Sequence, residues 1–143
     1  MFSTQEECKG LWIGRLRYGV DLLEEVTGLC KKENIRSGWL TGLGAVQKAH
    51  IGYYNQESRE YQYFAIDQPL EITNLTGNIS IRDNSPMVHA HITLADASGK
   101  SYGGHLAPGT IVFACELKIE ILNGLVLERQ YDEKTGLTLW PAG

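Results

Sequence analysis

The sequence predicts an α+β fold, one N-terminal helix set against a mainly antiparallel sheet, in a single domain spanning residues 1–143. Three observations carry this. The chain has the length of one ordinary domain, its only helical apolar periodicity lies near the N-terminus, and from Ser37 onward the pattern turns to alternation broken by turn residues. No repeat, low-complexity stretch or Pro/Gly/Ser-rich linker divides the chain, and the four prolines are scattered.

A first strand is expected around Leu11 to Arg17. Asp21-Leu-Leu-Glu24 follows with the form of a capping box, an acidic N-cap with a glutamate three residues on. The helix it opens places Leu22, Leu23, Val26, Leu29 and Cys30 at helical spacing and leaves Glu24, Glu25, Lys31 and Lys32 mostly on the wet side. Strands are predicted near 37–44, 47–54, 59–66, 70–82, 87–95 and 110–121, with a weaker one near 125–131. Asp83-Asn84-Ser85-Pro86 and Ala107-Pro108-Gly109 supply turn chemistry between them. In 110–121 the alternation assigns Ile111, Phe113, Cys115, Leu117, Ile119 and Ile121 to a buried face and Thr110, Glu116, Lys118 and Glu120 to a wet one.

Composition narrows the function. The longest apolar stretch, Ile111 to Ile121, is interrupted by charges, so no membrane span is expected. Residues 1–10 lack an apolar core with a cleavage site, so no leader is expected and the cytoplasm is the default location. The three cysteines, Cys8, Cys30 and Cys115, are too widely spaced for a Cys-x-x-Cys site and read as reduced thiols. In that setting the glycosylation matches at Asn74 and Asn78 carry no meaning. A net charge of −4 makes nucleic acid a poor first expectation, because phosphate binding needs a basic face.

The informative segment is Pro86-Met-Val-His-Ala-His-Ile-Thr-Leu-Ala95. On a strand, His89 and His91 project from one side about 6.5–7 Å apart, while Val88, Ala90, Ile92 and Leu94 face the core. Fourteen residues past His91 comes Tyr102-Gly-Gly-His105, where paired glycines allow unusual backbone angles and close approach. Three imidazoles with an open fourth position suit a catalytic type of zinc site, although imidazole serves other divalent transition metals too. His50, without such company, reads as an ordinary strand histidine. Glu71, between Leu70 and Ile72, points away from their apolar face and is the candidate catalytic carboxylate, able to steady an imidazole or act as a general base. Thr41-Gly-Leu-Gly-Ala-Val46 fails as a dinucleotide fingerprint, because Gln47 stands where a third glycine is needed, and reads instead as a bend or bulge. No nucleophile motif is present, so any activity would be metal-dependent and rest on metal-bound water.

These residues resemble the plants-and-prokaryotes-conserved (PPC) domain over nearly the whole chain. Arg15-Leu-Arg-Tyr-Gly-Val-Asp21 is similar to the family's strand-to-helix entry, and Gly42-Leu-Gly-Ala-Val with Ile51-Gly-Tyr-Tyr54 to its glycine turn and next strand. Leu70-Glu-Ile-Thr-Asn-Leu-Thr-Gly77, His89-Ala-His91 and Gly103-Gly-His105-Leu resemble its later motifs, the last two its metal-associated histidines. The resemblance implies a compact α+β homotrimer with zinc at the three histidines, and no established reaction. Tyr53, Tyr54, Tyr61, Tyr63 and Phe64 exceed the needs of one small core and are candidates for the subunit interface. Plant members join this domain to AT-hook motifs, but no Arg-Gly-Arg-Pro occurs here. The alternative reading, a DNA-binding regulatory module, would rest on Arg15, Arg17, Lys31, Lys32 and Arg36. A small molecule at the metal and a second copy of the chain are the expected partners.

Overall fold

The computed structural model describes residues 7–124 and 126–141; residues 1–6, on which the expectation about a leader largely rests, lie outside the described residues. Strand β1 (Glu7–Leu16) precedes helix α1 (Leu22–Lys32), and the chain continues as β2 (Gly38–Asn55), β3 (Glu60–Ile66), β4 (Leu70–Arg82), β5 (Ser85–Ala95), β6 (Ser101–Leu106) and β7 (Ile111–Asn123). Two short strands, β8 (Gln130–Asp132) and β9 (Leu137–Leu139), pair as a separate ribbon. The α+β architecture expected from the sequence is the one observed.

Helix α1 begins where Asp21 caps it. One carboxylate oxygen accepts from the Glu24 amide at 3.0 Å and the other from the Gly109 amide, so the cap also ties the helix to the turn before β7. Leu22, Val26 and Cys30 are buried, and α1 packs across β5.

The seven-stranded sheet runs β1-β7-β2-β4-β5-β6, with β3 on the second half of β2. Its far edge returns to its middle: β6 pairs with β2 at Ile51–Leu106 and Gly52–His105. Strands β2, β4, β5 and β6 thus form a closed ring filled by Val46, Ile51, Leu75, Leu94 and Leu106. Closure removes an unpaired edge.

The ring depends on β2, where the sequence predicts two segments, 37–44 and 47–54. One 18-residue strand forms instead, its first half shared with β7 and β4 and its second with β3 and β6. The turn is made by bulges rather than a break. Register shifts lie at Gly42/Gly44 against β4 and on either side of Val46 against β7. Gly44 has a φ of 143°, and a Cβ there would meet the Ala114 carbonyl, so glycine is required.

The same bulges correct the expected faces of β7. Phe113 is the extra residue between Val112 and Ala114, which pair with Val46 and Ala45. The alternation flips there, so Val112 is buried and Phe113 is 58% exposed. Thr110, expected on the wet face, is buried because its hydroxyl donates to the His50 carbonyl and accepts from the His50 amide, each at 3.0 Å. The segment 101–106, not expected as a strand, is β6. The weaker segment near 125–131 yields only β8; Leu125 lies outside the described residues.

Candidate metal centre

Period two on β5 puts Val88, Ala90, Ile92 and Leu94 into the core and turns His89 and His91 outward, as the sequence predicts. Cross-strand pairing then selects the neighbours. His89 stands opposite Asn78 and His91 opposite Thr76 on β4, while His91 stands opposite His105 on β6. His105 is in turn the residue that pairs with Gly52 at the closure of the ring. Of the glycines before it, Gly104 is the one the packing demands: a Cβ would lie 2.6 Å from the Gly52 carbonyl oxygen. Neither Gly103 nor Gly104 has a positive φ, so close approach rather than unusual backbone angles is their contribution.

The three imidazoles converge. Their ring centroids are 5.2 Å (His89–His91), 5.0 Å (His89–His105) and 5.7 Å (His91–His105) apart, and one donor atom from each lies within 4.8 Å of the others. Two metal–nitrogen bonds of about 2.0–2.1 Å at a tetrahedral angle hold their nitrogens roughly 3.4 Å apart, so the imidazoles swing inward to complete a shared coordination set. His105 Nδ1 is buried and has no hydrogen-bond partner among the described residues, an arrangement that costs free energy unless something outside the chain satisfies it. Burial pushes His89 down to about 4, helped by the charges of His105, Arg129 and His91. Burial likewise lowers His105, with His91 and Arg129 adding to it. Neutral imidazoles are the form that ligates. The residues fit a divalent transition metal.

Arg129 is the site residue that no sequence pattern announces. The chain after β7 runs beside the end of β4, exchanging backbone hydrogen bonds with Ile81 at 2.9 and 2.8 Å. This aims the Arg129 guanidinium along β4, where it donates to Ser80 Oγ and Asn78 Oδ1, each at 2.8 Å, and to the Thr138 carbonyl at 3.1 Å. It also stands 3.3 Å from His89 Nδ1, which must be the acceptor because arginine only donates. Ligation through that nitrogen asks for a small turn of the ring. Trp140 closes this side, edge-on to Trp39 and under the guanidinium at 5.8 Å. Tyr61 of β3 lies 4.9 Å from the His105 ring, its phenol held protonated by burial and by Tyr63 and Tyr54.

Two other candidates lie elsewhere. His50 holds the Pro108 carbonyl through Nδ1 at 2.6 Å and is outside the cluster. Glu71 is exposed on the same outward face of β4, but it sits opposite Ala95, four residues beyond His91 and about 13 Å along the strand. It lines a separate cavity with Asp96 and Tyr18, and the structure does not bring it to the histidines.

Known proteins carry the same arrangement of elements. A metal-containing protein from Archaeoglobus fulgidus superposes with a TM-score of 0.94 at 39% identity, over 99% of this chain and 100% of that one. A plant- and prokaryote-conserved (PPC) protein from Pyrococcus horikoshii gives 0.93 at 33%, over 99% and 98%. A protein named as a candidate DNA-binding protein, from Bacteroides thetaiotaomicron, gives 0.86 at 25%, over 96% of each chain. By sequence, a bifunctional GlmU protein of Synechococcus is 30% identical over 124 residues, which are 85% of this chain and 18% of that protein. The chain thus spans about a fifth of the curated relatives it matches. Residues 3–123 match the model of the Plants and Prokaryotes Conserved (PCC) domain, and with that stretch holding α1, β1 to β7 and all three converging histidines, the chain belongs to this family.

Proposed function

We propose that this protein binds one divalent transition metal ion, zinc by availability, through His89, His91 and His105, leaving a coordination position for a small ligand. The observation that carries this is the meeting of three outward-facing imidazoles, one with a buried nitrogen that has no hydrogen-bond partner among the described residues. A bound ion would supply Lewis acidity toward an oxygen of that ligand. Burial favours the neutral, ligating form of His89 and His105, Arg129 occupies His89 Nδ1 in the metal-free protein, and the ring of Tyr61 packs against His105.

The working form we propose is a homotrimer in the cytoplasm. Tyr53, Tyr63 and Phe64 are 60%, 50% and 43% exposed, more aromatic surface than a lone domain usually shows to water. Cys30 and Cys115 are free and buried, which suits a reducing compartment.

The second reading, a DNA-binding module, is favoured by the name given to the Bacteroides neighbour. The local chemistry argues against it. Within the basic group near α1, Arg17 is held by Glu25 at 2.9 Å and Lys32 lies 3.6 Å from Glu33.

Elemental analysis of the purified protein and of His91→Ala tests the metal. One ion per chain, lost in the variant while its circular dichroism is kept, is the expected result. A folded His91→Ala protein with unchanged metal content would overturn it.

A further inference from the structure

Beside the histidines lies a charge that the protein itself does not cancel. Arg129 is 8% exposed, yet its acceptors, Ser80 Oγ, Asn78 Oδ1, the Thr138 carbonyl and His89 Nδ1, are all neutral. Among the described residues, no carboxylate lies within ion-pair distance of it. Neutral acceptors replace the water of a buried guanidinium but leave its net charge in place, and such a charge is costly unless an anion meets it.

The space in front of it has the matching character. A cavity of about 410 Å³ opens onto His89, His105 and Arg129, a volume within the range of small-molecule sites. Arg59 and Arg82 also line it, and among the described residues no Asp or Glu does. Arg59 gives one donor to the Glu133 carbonyl, and Arg82 lies 3.5 Å from the exposed Asp83. The rest of the lining mixes aromatic and aliphatic side chains, Tyr54, Tyr61, Met87, Leu137 and Leu139, with Thr138. The cavity thus joins cationic groups to aromatic and aliphatic surface that suits a ring or short hydrocarbon.

We propose that this cavity binds a small organic anion, its carboxylate or phosphate head seated against Arg129 beside the histidines and its carbon body against the aromatic and aliphatic side chains around Tyr61. The inference rests on the metal reading for the additional positive charge a bound ion brings; the attraction of Arg129 exists without it. The arginine fork matches both head groups geometrically.

Calorimetric titration of the metal-loaded protein with benzoate, phenyl phosphate, benzamide and inorganic phosphate tests the proposal. At least one of the two aromatic anions should bind ten times or more tightly than benzamide, which has the ring without the charge. Inorganic phosphate should bind more weakly than phenyl phosphate. Arg129→Gln should weaken the anion at least tenfold, and Arg129→Lys less. Equal binding of benzamide and both anions, or unchanged anion binding in a folded Arg129→Gln protein, overturns the proposal. Inorganic phosphate binding as tightly as phenyl phosphate overturns the role given to the apolar lining. Should Arg129→Gln fail to fold, the charged-against-neutral comparison on the native protein decides alone. Elemental analysis of the same sample separates the two readings. Protein that takes up no metal on loading yet binds the anion through Arg129 sinks only the metal, and loaded protein without preference for charge sinks only the anion site.

Discussion

His89 shows how one side chain turns position into pH dependence. Its folded-state titration lies at about 4, well under the ordinary value near 6.5, because burial and neighbouring positive charge oppose protonation. The unfolded chain takes up that proton between pH 6.5 and 4 and the folded chain does not, so metal-free protein should lose stability as pH falls through this window and change little from this cause above it. His105, lowered for the same reasons, adds to the effect. Thermal melts of chelator-treated protein from pH 7.5 to 4 check this, and His89→Gln should flatten the dependence; a melting temperature that does not fall toward pH 4 contradicts it. Residues differ in how plainly the sequence shows such roles. His89 and His91 were legible because a period of two needs only the strand to be identified. Arg129 was not, since its worth depends on a chain segment lying beside Ile81, and nothing local in Leu127-Glu-Arg129 states that.

At the scale of elements, β2 and β6 decide the architecture together. Alternation reveals strands but not a strand whose phase slips, which is why β2 read as two pieces and Phe113 was assigned to the wrong face. Strand β6 escaped notice because Ser101-Tyr-Gly-Gly-His-Leu106 is poor in strand-favouring residues; close passage over β2 requires that composition. Gly104→Ala should therefore push β6 from Gly52, costing about 1–3 kcal/mol as overpacking does and weakening metal retention through His105. Gly103→Ala should be tolerated far better, since a Cβ there finds its nearest neighbour at 3.4 Å. Thermal denaturation and metal content of the two variants make the comparison, and equal losses would show that close approach is not the reason for the glycines.

For the whole molecule, the motif pattern made the family legible, whereas assembly is written in surfaces that form only after folding. Leu11, Ile13 and Leu43 are exposed on the β1-β7-β2 face, and Tyr53, Tyr63 and Phe64 at the β2-β3 wing. Covering such patches is what a subunit interface does, so light scattering at dilute concentration should give three times the 15.9 kDa chain mass; a monomer refutes the trimer. The molecule's field argues separately about DNA. With 13 basic against 17 acidic residues, the isolated chain should bind duplex DNA weakly or not at all near 150 mM salt. A mobility-shift titration checks this, and sub-micromolar binding at that salt would bring the regulatory reading forward.

The segment that carries Arg129 and the β8-β9 ribbon divides the site into a part inside the family model and a part beyond it. The family model ends at Asn123, with the histidines inside its limits, whereas Arg129 and Thr138 lie beyond them. The structural relatives from Archaeoglobus and Pyrococcus cover 99% of this chain, so the ribbon belongs to the fold they share. The ligands and the surface that faces them are thus carried by different stretches of chain, so substitutions after residue 123 can change what the cavity admits without touching the histidines.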